Sequence, residues 1–346
     1  MSGKVIMKFF KVISFFVLSS FILSCSITAE GKYSDILEKY AEGEIEDTAA
    51  ITENLLEGFS SVMLNGENIF LSKNVVITGD EGNIILVYPE EINLNAEKII
   101  SDNISYADMG RKRIMLGNSK GFCVFNPDGD PVAVYRADKK ENIDSAVLRG
   151  DNTVFFTSGR INELSDSEKT VNRLDQGVYS PPYKKLFRAS MISSEKYYGV
   201  ITGIAGAYYI SVFDNIDGTN KVKNIAASSF EFNMKDDYVL YIRGGTGVWS
   251  LVRYDIPVKK RNKLKTLGKI SDVYVAEEGL VYISENRTYV QSMNGERWEA
   301  PAMFRVKGIC RNSVLADYKG KTYIIDFNVL YEKIQEFGQV KGGKNG

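Results

Sequence analysis

The sequence contains no histidine. That absence excludes a Ser-His-Asp or Cys-His nucleophile, a zinc site with imidazole ligands and a histidine pH switch, so any catalysis would rest on carboxylates, lysine, tyrosine or a cofactor. Cysteine is scarce: Cys25, Cys123 and Cys310 share no CxxC spacing, which excludes cysteine clusters for zinc or iron-sulfur ligation. Charge of one sign is lacking as well. With 43 basic and 44 acidic residues the net charge is -1, so no global positive field exists to release phosphate counterions, and no nucleic acid is expected as partner. The main apolar run, Val12 to Leu23, holds about a dozen residues, too few to span a bilayer as a stable helix.

What is present is a chain of 346 residues, 44% hydrophobic and 25% charged, enough to bury a large core in one large domain or two ordinary ones. Lys4, Lys8 and Lys11 precede the apolar run, and Ser24-Cys25-Ser26 follows it, the layout of an export signal over residues 1–24. Met7 opens a second start whose proportions suit such a signal better than those of Met1. Ile22-Leu23-Ser24-Cys25 resembles the lipobox of bacterial lipoproteins. The resemblance implies that Cys25 becomes the mature N-terminus and carries palmitate-type acyl chains. It also implies an exported protein anchored to a bacterial membrane, the outer membrane for preference, and two or more chains would hold it there firmly. A plain secretory signal with an incidental cysteine is the alternative.

Residues 25–59 are acidic and polar. Tyr33, Ile36, Leu37 and Tyr40 recur with the spacing of a short amphipathic helix. A second helix is expected with Asp47 as its N-cap, Leu55 and Leu56 on its apolar face and Gly58 as its stop. The pair reads equally as a docked element or as a tether.

From Ser60 onward the pattern is strands: short runs rich in Val, Ile, Tyr and Phe between Gly, Asn, Asp and Lys clusters. The layout of Gly121 to Tyr135, two strand runs around Asn126-Pro127-Asp128-Gly129-Asp130, returns loosely at intervals of about forty residues, as in Ala207 to Phe213, Val248 to Tyr254 and Thr288 to Met293. Each such run follows another across a tight turn, and a third lies upstream. The expected fold is therefore all-β, a propeller of four-stranded antiparallel blades over residues 60–340, seven in number with six and eight as alternatives, preceded by a short helical linker. A four-stranded sheet cannot cover both its faces alone. Stacking blades buries both, which accounts for middle strands such as Val239-Leu240-Tyr241-Ile242 that lack clean alternation. The ring closes either through Ser61 to Leu64 or through a strand at Glu332 to Phe337, and residues 341–346 read as a disordered tail.

Tyr289 to Trp298, YVQSMNGERW, resembles the repeat core of quinoprotein-like propellers, among them the propeller lipoprotein of the outer-membrane assembly machinery. That resemblance implies an indole docked between blades and a role in envelope assembly. No quinone cofactor is expected, because paired acidic and amide ligands for one cannot be located.

Several stretches are candidate sites. Tyr179, Pro181, Pro182 and Tyr183 lie in the longest insertion between strands, where stiff prolines and amphipathic tyrosines suit a protein contact. Lys259, Lys260, Arg261, Lys263 and Lys265 form the densest charge cluster, placed by the pattern in a hairpin loop: a solvated tip or a contact for an anionic partner. Asp214 to Asn220 and Asn126 to Asp130 carry oxygen ligands but neither the ligand count nor the terminal glutamate of an EF-hand, and no metal is expected. Gly244 to Gly247 lacks the lysine, spacing and helix of a phosphate loop and reads as a turn. Cys123 and Cys310 fall in separate blades as buried thiols. Asp144, Glu231 and Asp272 sit on or beside innermost strands, where two carboxylates at suitable separation would support glycan or peptidoglycan hydrolysis. The leading expectation is instead an envelope lipoprotein facing the periplasm, with a protein partner met through a non-enzymatic scaffold.

Overall fold

The computed structural model describes residues 33–57, 61–62, 69–71, 76–80, 83–88, 92–95, 104–110, 113–157, 159–165, 167–174, 188–204, 207–245 and 247–344. Two helices come first, α1 (residues 33–42) and α2 (Thr48–Glu57), followed by the short strand β1 (Ser61–Val62). Six sheets of consecutive strands follow. The first blade is β2 (Ile69–Leu71), β3 (Val76–Asp80), β4 (Asn83–Tyr88) and β5 (Ile92–Asn95); the second is β6 (Tyr106–Gly110), β7 (Arg113–Asn118), β8 (Gly121–Phe125) and β9 (Pro131–Arg136). The third is β10 (Ile143–Arg149), β11 (Asn152–Thr157), β12 (Arg160–Ser165) and β13 (Val171–Leu174); the fourth is β14 (Arg188–Ser193), β15 (Tyr197–Ile204), β16 (Ala207–Asp214) and β17 (Asn220–Ala227). The fifth is β18 (Phe232–Met234), β19 (Tyr238–Gly245), β20 (Val248–Asp255) and β21 (Lys260–Gly268); the sixth is β22 (Asp272–Val275), β23 (Gly279–Ser284), β24 (Arg287–Ser292) and β25 (Arg297–Glu299). The seventh blade, β26 (Arg305–Cys310), β27 (Ser313–Tyr318) and β28 (Lys321–Asp326), takes β1 as its fourth strand, in the register Ser61 to Tyr323 and Val62 to Thr322. Helix α3 (Phe327–Lys344) ends the chain.

Seven four-stranded antiparallel sheets thus stand among the described residues, and closure runs through the N-terminal strand. The first strands of neighbouring blades touch around the axis, β6 with β10, β10 with β14, β14 with β18, β18 with β22 and β22 with β26, while β26 also meets β2. The expected hairpin holds in detail: β8 pairs with β7 on one side and β9 on the other. The Asn126 carboxamide oxygen accepts from the Asp128 and Asp130 amides at 3.0 and 2.8 Å, and Gly129 supplies a φ of 86°, so NPDGD is a self-satisfied corner. Glu285 and Asn286, at φ of 50° and 60°, form the two-residue turn between β23 and β24 whose twist matches the strands it joins.

The core is divided among the seams between blades. Phe155 of β11 packs with Met115, Phe122 and Val124 of the second blade, whereas Val154 and Phe156 beside it meet Tyr198, Val200 and Phe213 of the fourth. Successive residues face opposite neighbours, so Val154, Phe155 and Phe156 are apolar in an unbroken run. Truncating Phe155 or Phe156 to alanine would cost about 3–5 kcal/mol each, since the packed seam collapses only in part.

Two corrections concern the C-terminus. Glu332 to Phe337 is helical rather than a strand, because Phe327, Leu330, Ile334 and Phe337 recur at helical spacing and all four are buried. Residues 341–344 continue that helix, so the stretch read as a disordered tail is ordered to Lys344. Helices α1 and α2 dock on α3. The Tyr33 hydroxyl donates to the Lys333 carbonyl at 2.6 Å, the Lys333 ammonium donates to the Leu55 carbonyl at 3.4 Å, and the Tyr40 and Phe337 rings lie 5.5 Å apart. Asp47 caps α2 by accepting from the Ala49 amide at 2.8 Å, and Leu55 and Leu56 are fully buried. Trp298 meets α3 as well: its indole donates to the Tyr331 hydroxyl at 3.3 Å and lies where a side chain on Gly338 would sit.

Two buried polar side chains lace blades together. The Asp108 carboxylate, wholly buried on β6, accepts from the Met109 amide at 2.9 Å, from the Leu148 amide of the third blade at 2.7 Å and from the Ser193 hydroxyl of the fourth at 3.0 Å. Asn233 repeats the device on β18. Its oxygen accepts from the Met234 amide at 2.8 Å, and its nitrogen donates to the carbonyls of Val275 in the sixth blade, at 3.1 Å, and Arg311 in the seventh, at 2.9 Å. Asp108→Ala strands a buried amide and a hydroxyl, and is expected to lower unfolding free energy by about 3 kcal/mol. Asn233→Ala should cost about 2 kcal/mol by the same reasoning. Urea titration followed by tryptophan fluorescence reads both; losses near zero would show that the lacing carries no stability.

Candidate functional site

The first strand of every blade runs the same way along the axis, so one mouth of the ring gathers the ends of those strands and the other gathers their starts. At the mouth with the ends lies a cavity of about 1150 Å³. Met109 and Gly110 of the second blade and Leu148 and Gly150 of the third line it, with Arg311 of the seventh opposite. The fourth and fifth blades contribute most, through Ser193 to Tyr197, Asp214 to Ile216 and Met234 to Tyr238, and Glu277 follows β22 of the sixth.

Charge at this mouth is unbalanced. Its carboxylates are Glu195, Asp214, Asp236, Asp237 and Glu277, and its cations are Lys196, Lys235 and Arg311. Each cation is engaged: Lys196 lies 3.8 Å from Asp237, Lys235 pairs with Glu278 and lies 3.9 Å from Glu277, and the Arg311 guanidinium crosses the ring to the Met109 carbonyl at 3.3 Å. Burial raises the Glu277 carboxyl above the usual glutamate range, against the opposing pull of Lys235 and Arg311.

The loop 214–219 at the rim is held from behind by Arg149, which is 8% exposed. Its guanidinium donates to the carbonyls of Asn215 and Ile216, both at 2.6 Å, and to the Glu163 carboxylate at 2.6 Å. Inside the loop, Asp214 accepts from the Ile216 amide at 2.7 Å and Asp217 from the Thr219 amide at 2.8 Å, while Lys221 lies 3.3 Å from Asp214. These oxygens close a turn, and among the described residues no group of acidic or cysteine side chains is arranged to hold a metal ion.

Asp144, Glu231 and Asp272 stand at the starts of first strands, away from this cavity. Asp144 is the extra residue of a β-bulge, since Ile143 pairs with Thr157 and Ser145 with Phe156. The residue keeps contact with solvent, yet the protein around its carboxyl removes enough water to push it up to about 6. Glu231 and Asp272 belong to the fifth and sixth blades; burial first, and then these two carboxylates, raise the Tyr274 phenol. Asp144 likewise adds to the effect of burial on the Tyr106 phenol, so the structure sets one of the three acids by one tyrosine and the other two by another.

The basic cluster is not a hairpin tip. Only Lys259 lies in the turn, with a φ of 52°; Lys260, Arg261, Lys263 and Lys265 belong to β21, the outermost strand of the fifth blade, where they pair opposite Asp255, Tyr254, Val252 and Leu251. Leu264, between Lys263 and Lys265, and Leu267, the extra residue of a bulge opposite Trp249 and Ser250, pack toward the sixth blade, so the run continues as a strand. Charges along such an edge oppose unwanted pairing. Cys123 and Cys310 are buried free thiols in the second and seventh blades, and burial pushes the Cys123 thiol up to about 12. Cys25 and Tyr179, Pro181, Pro182 and Tyr183 lie outside the described residues.

No protein-family model matches the chain, and no curated protein matches it. Solved structures similar to it include an uncharacterised protein of Listeria monocytogenes EGD-e, at 12% identity and a TM-score of 0.47 over 79% of this chain and 95% of that one. The WD40 domain of Neurospora crassa Pan2 follows at 11% and 0.46, over 78% and 90%. Hsv2 of Kluyveromyces marxianus gives 11% and 0.43, over 66% and 73%. Blade number and order rest on strand pairing, not on these likenesses.

The Asp144 carboxyl gives a pH prediction. Its folded value lies above its ordinary 3.8, so the folded state holds this proton more tightly than the unfolded chain does. Stability from this group is therefore present below about pH 4 and is lost as pH rises towards 6. Asp144→Asn should melt above wild type at pH 7.5, with the gap closing by about pH 4. Thermal melts across that range test it; a gap independent of pH would place the carboxyl in open water.

Proposed function

We propose that the protein is an exported lipoprotein, anchored at Cys25, whose propeller is a rigid scaffold for binding another protein at the cell envelope. The observation that carries the reading is the docking of α1 and α2. From Tyr33 onward the chain is packed on α3 and the last two blades, so the stretch after Cys25 leads into the ring with few residues between. An anchor there would hold a stiff body close to a membrane rather than release it on a long tether. Among the described residues no helix is long and apolar enough to cross a membrane. The edge of β21 and the segment around Tyr179 to Tyr183 are the contacts proposed for partners, alongside the polar mouth.

Glycan hydrolysis would need two carboxyls acting on one bond. Asp144 stands on the third blade, and its carboxyl is raised by burial; Glu231 and Asp272 stand with Tyr274 on the fifth and sixth, and none of the three lines the cavity. That arrangement favours the scaffold over the enzyme.

Metabolic labelling with a fatty acid tests the anchor. Wild type should incorporate label and Cys25→Ala should not; absence of label from both ends the lipoprotein reading. Crosslinking in intact envelopes tests the scaffold, with a photoreactive residue placed in turn at Lys263 and at Ile216. Discrete protein adducts are expected from one or both positions, and none from either would overturn it.

A further inference from the structure

We propose that the cavity at the mouth of the ring binds a lysine or arginine side chain of a partner protein, with an apolar residue beside that side chain packing on Ile216. The inference rests on the scaffold reading and narrows it to one mouth and one partner chemistry.

Charge argues for a cation. The mouth carries an excess of carboxylates, and its own cations are already engaged within the ring. The low-dielectric walls of a cleft focus such an excess and draw a positive group inward. Hydrogen bonding argues for a donor. The Asn215 carboxamide nitrogen is used twice, donating to the Ser194 and Glu195 carbonyls at 2.8 and 3.0 Å, while its oxygen is buried and accepts from no donor. That oxygen is closed off from solvent; the acceptors open to a partner are the carboxylates of Glu195 and Asp237, both exposed, and a guanidinium or ammonium is rich in donors for them.

Shape argues for a long, amphipathic side chain. Met109, Leu148 and Met234 give the cavity an apolar lining beneath its charged rim, suited to the methylene stem of lysine or arginine. Ile216 argues for a polypeptide as the carrier of that side chain. It is 92% exposed, although its own carbonyl and that of Asn215 before it are fixed by the buried Arg149. Its exposure is thus imposed by a rigid support, the condition under which an apolar anchor loses least entropy on binding.

Panning a random dodecapeptide library against the full-length protein in detergent tests the proposal. Recovered peptides should carry lysine or arginine next to an apolar residue. They should bind the Asp236→Asn/Asp237→Asn variant about tenfold more weakly or worse, with a similar loss for Ile216→Ser and a steep decline with added salt. Ile216 and Asp237 are exposed, and the half-buried Asp236 accepts from the Lys196 amide at 2.9 Å, a bond that an asparagine oxygen keeps; unchanged melting temperatures confirm that the variants fold. Lys263→Gln, on the outer edge, should bind as wild type. Acidic or neutral peptides, basic peptides indifferent to the cavity variants, or no peptide at all would each overturn the cavity proposal. The scaffold reading stands apart, because adducts from Lys263 alone in the envelope would uphold it while this site fell.

Discussion

Among the described side chains the middle strands of the blades are buried on both faces, and no such sheet can exist alone. Residues that alternate along β11 give Phe155 to one neighbour and Val154 and Phe156 to the other, so each blade is half of two seams. The free energy of the fold therefore resides between blades rather than within them, and it is collected only when every blade has a partner on each side. A ring satisfies that demand without leaving a face exposed. The dependence explains why composition and turn chemistry vary so much along the chain while the spacing of the strands persists.

The same constraint positions the mouth. Inner strands carry few side chains free of the seams, and those that are polar must find partners across blades. Asp108 and Asn233 each satisfy a following methionine amide and then reach across two further blades, so the ends of β6, β10 and β14 are tied as one group and those of β18, β22 and β26 as another. Arg311 joins the groups through the Met109 carbonyl. The strand ends that frame the cavity are thus set by bonds made within the ring. Preorganisation of this kind lowers the entropy lost on binding.

The blades were legible because their signal is local and repeated. Strand runs, tight turns and a period of about forty residues place nearly every pairing, down to NPDGD as a corner between β8 and β9. The cavity was not legible, because its residues come from six blades and no two blades carry the same motif. Asp108 did leave a trace: a carboxylate inside the apolar run Tyr106 to Met109 is either a mistake or a buried hydrogen-bond hub, and Asn233 between Phe232 and Met234 repeats it. The charge density of Lys259 to Lys265 suggests a loop, whereas Leu264 between Lys263 and Lys265 marks a strand. Asp144, Glu231 and Asp272 stand on or beside the first strands of their blades, but sequence does not say at which mouth a residue sits until strand direction is known. The C-terminal helix was missed because Glu332 to Phe337 was weighed only as a closing strand, although its apolar spacing is helical.

The weakest point of such a ring is its closing seam. Here the closing strand β1 contributes only two paired residues, so backbone bonding alone would hold the seventh blade's outer edge poorly. The helices supply the difference. Tyr33, Leu37, Ile51, Leu55 and Leu56 of α1 and α2 join Phe327, Leu330, Ile334 and Phe337 of α3 in one apolar cluster, and that cluster continues into Val281 and Val290 of the sixth blade and Val314 and Ile325 of the seventh. Lys319 on the seventh blade pairs with Glu53 of α2, and Trp298 fastens α3 to the sixth. These contacts lock the three helices over the sixth and seventh blades, and the seventh is the blade that β1 completes, so residues more than two hundred positions apart meet there. Loop-closure entropy opposes that meeting, and the buried area of three helices offsets it in a single step. Helices α1 and α2 are thus part of the clasp that holds the seventh blade in place, so the chain from Tyr33 onward and the ring are stabilised by the same residues.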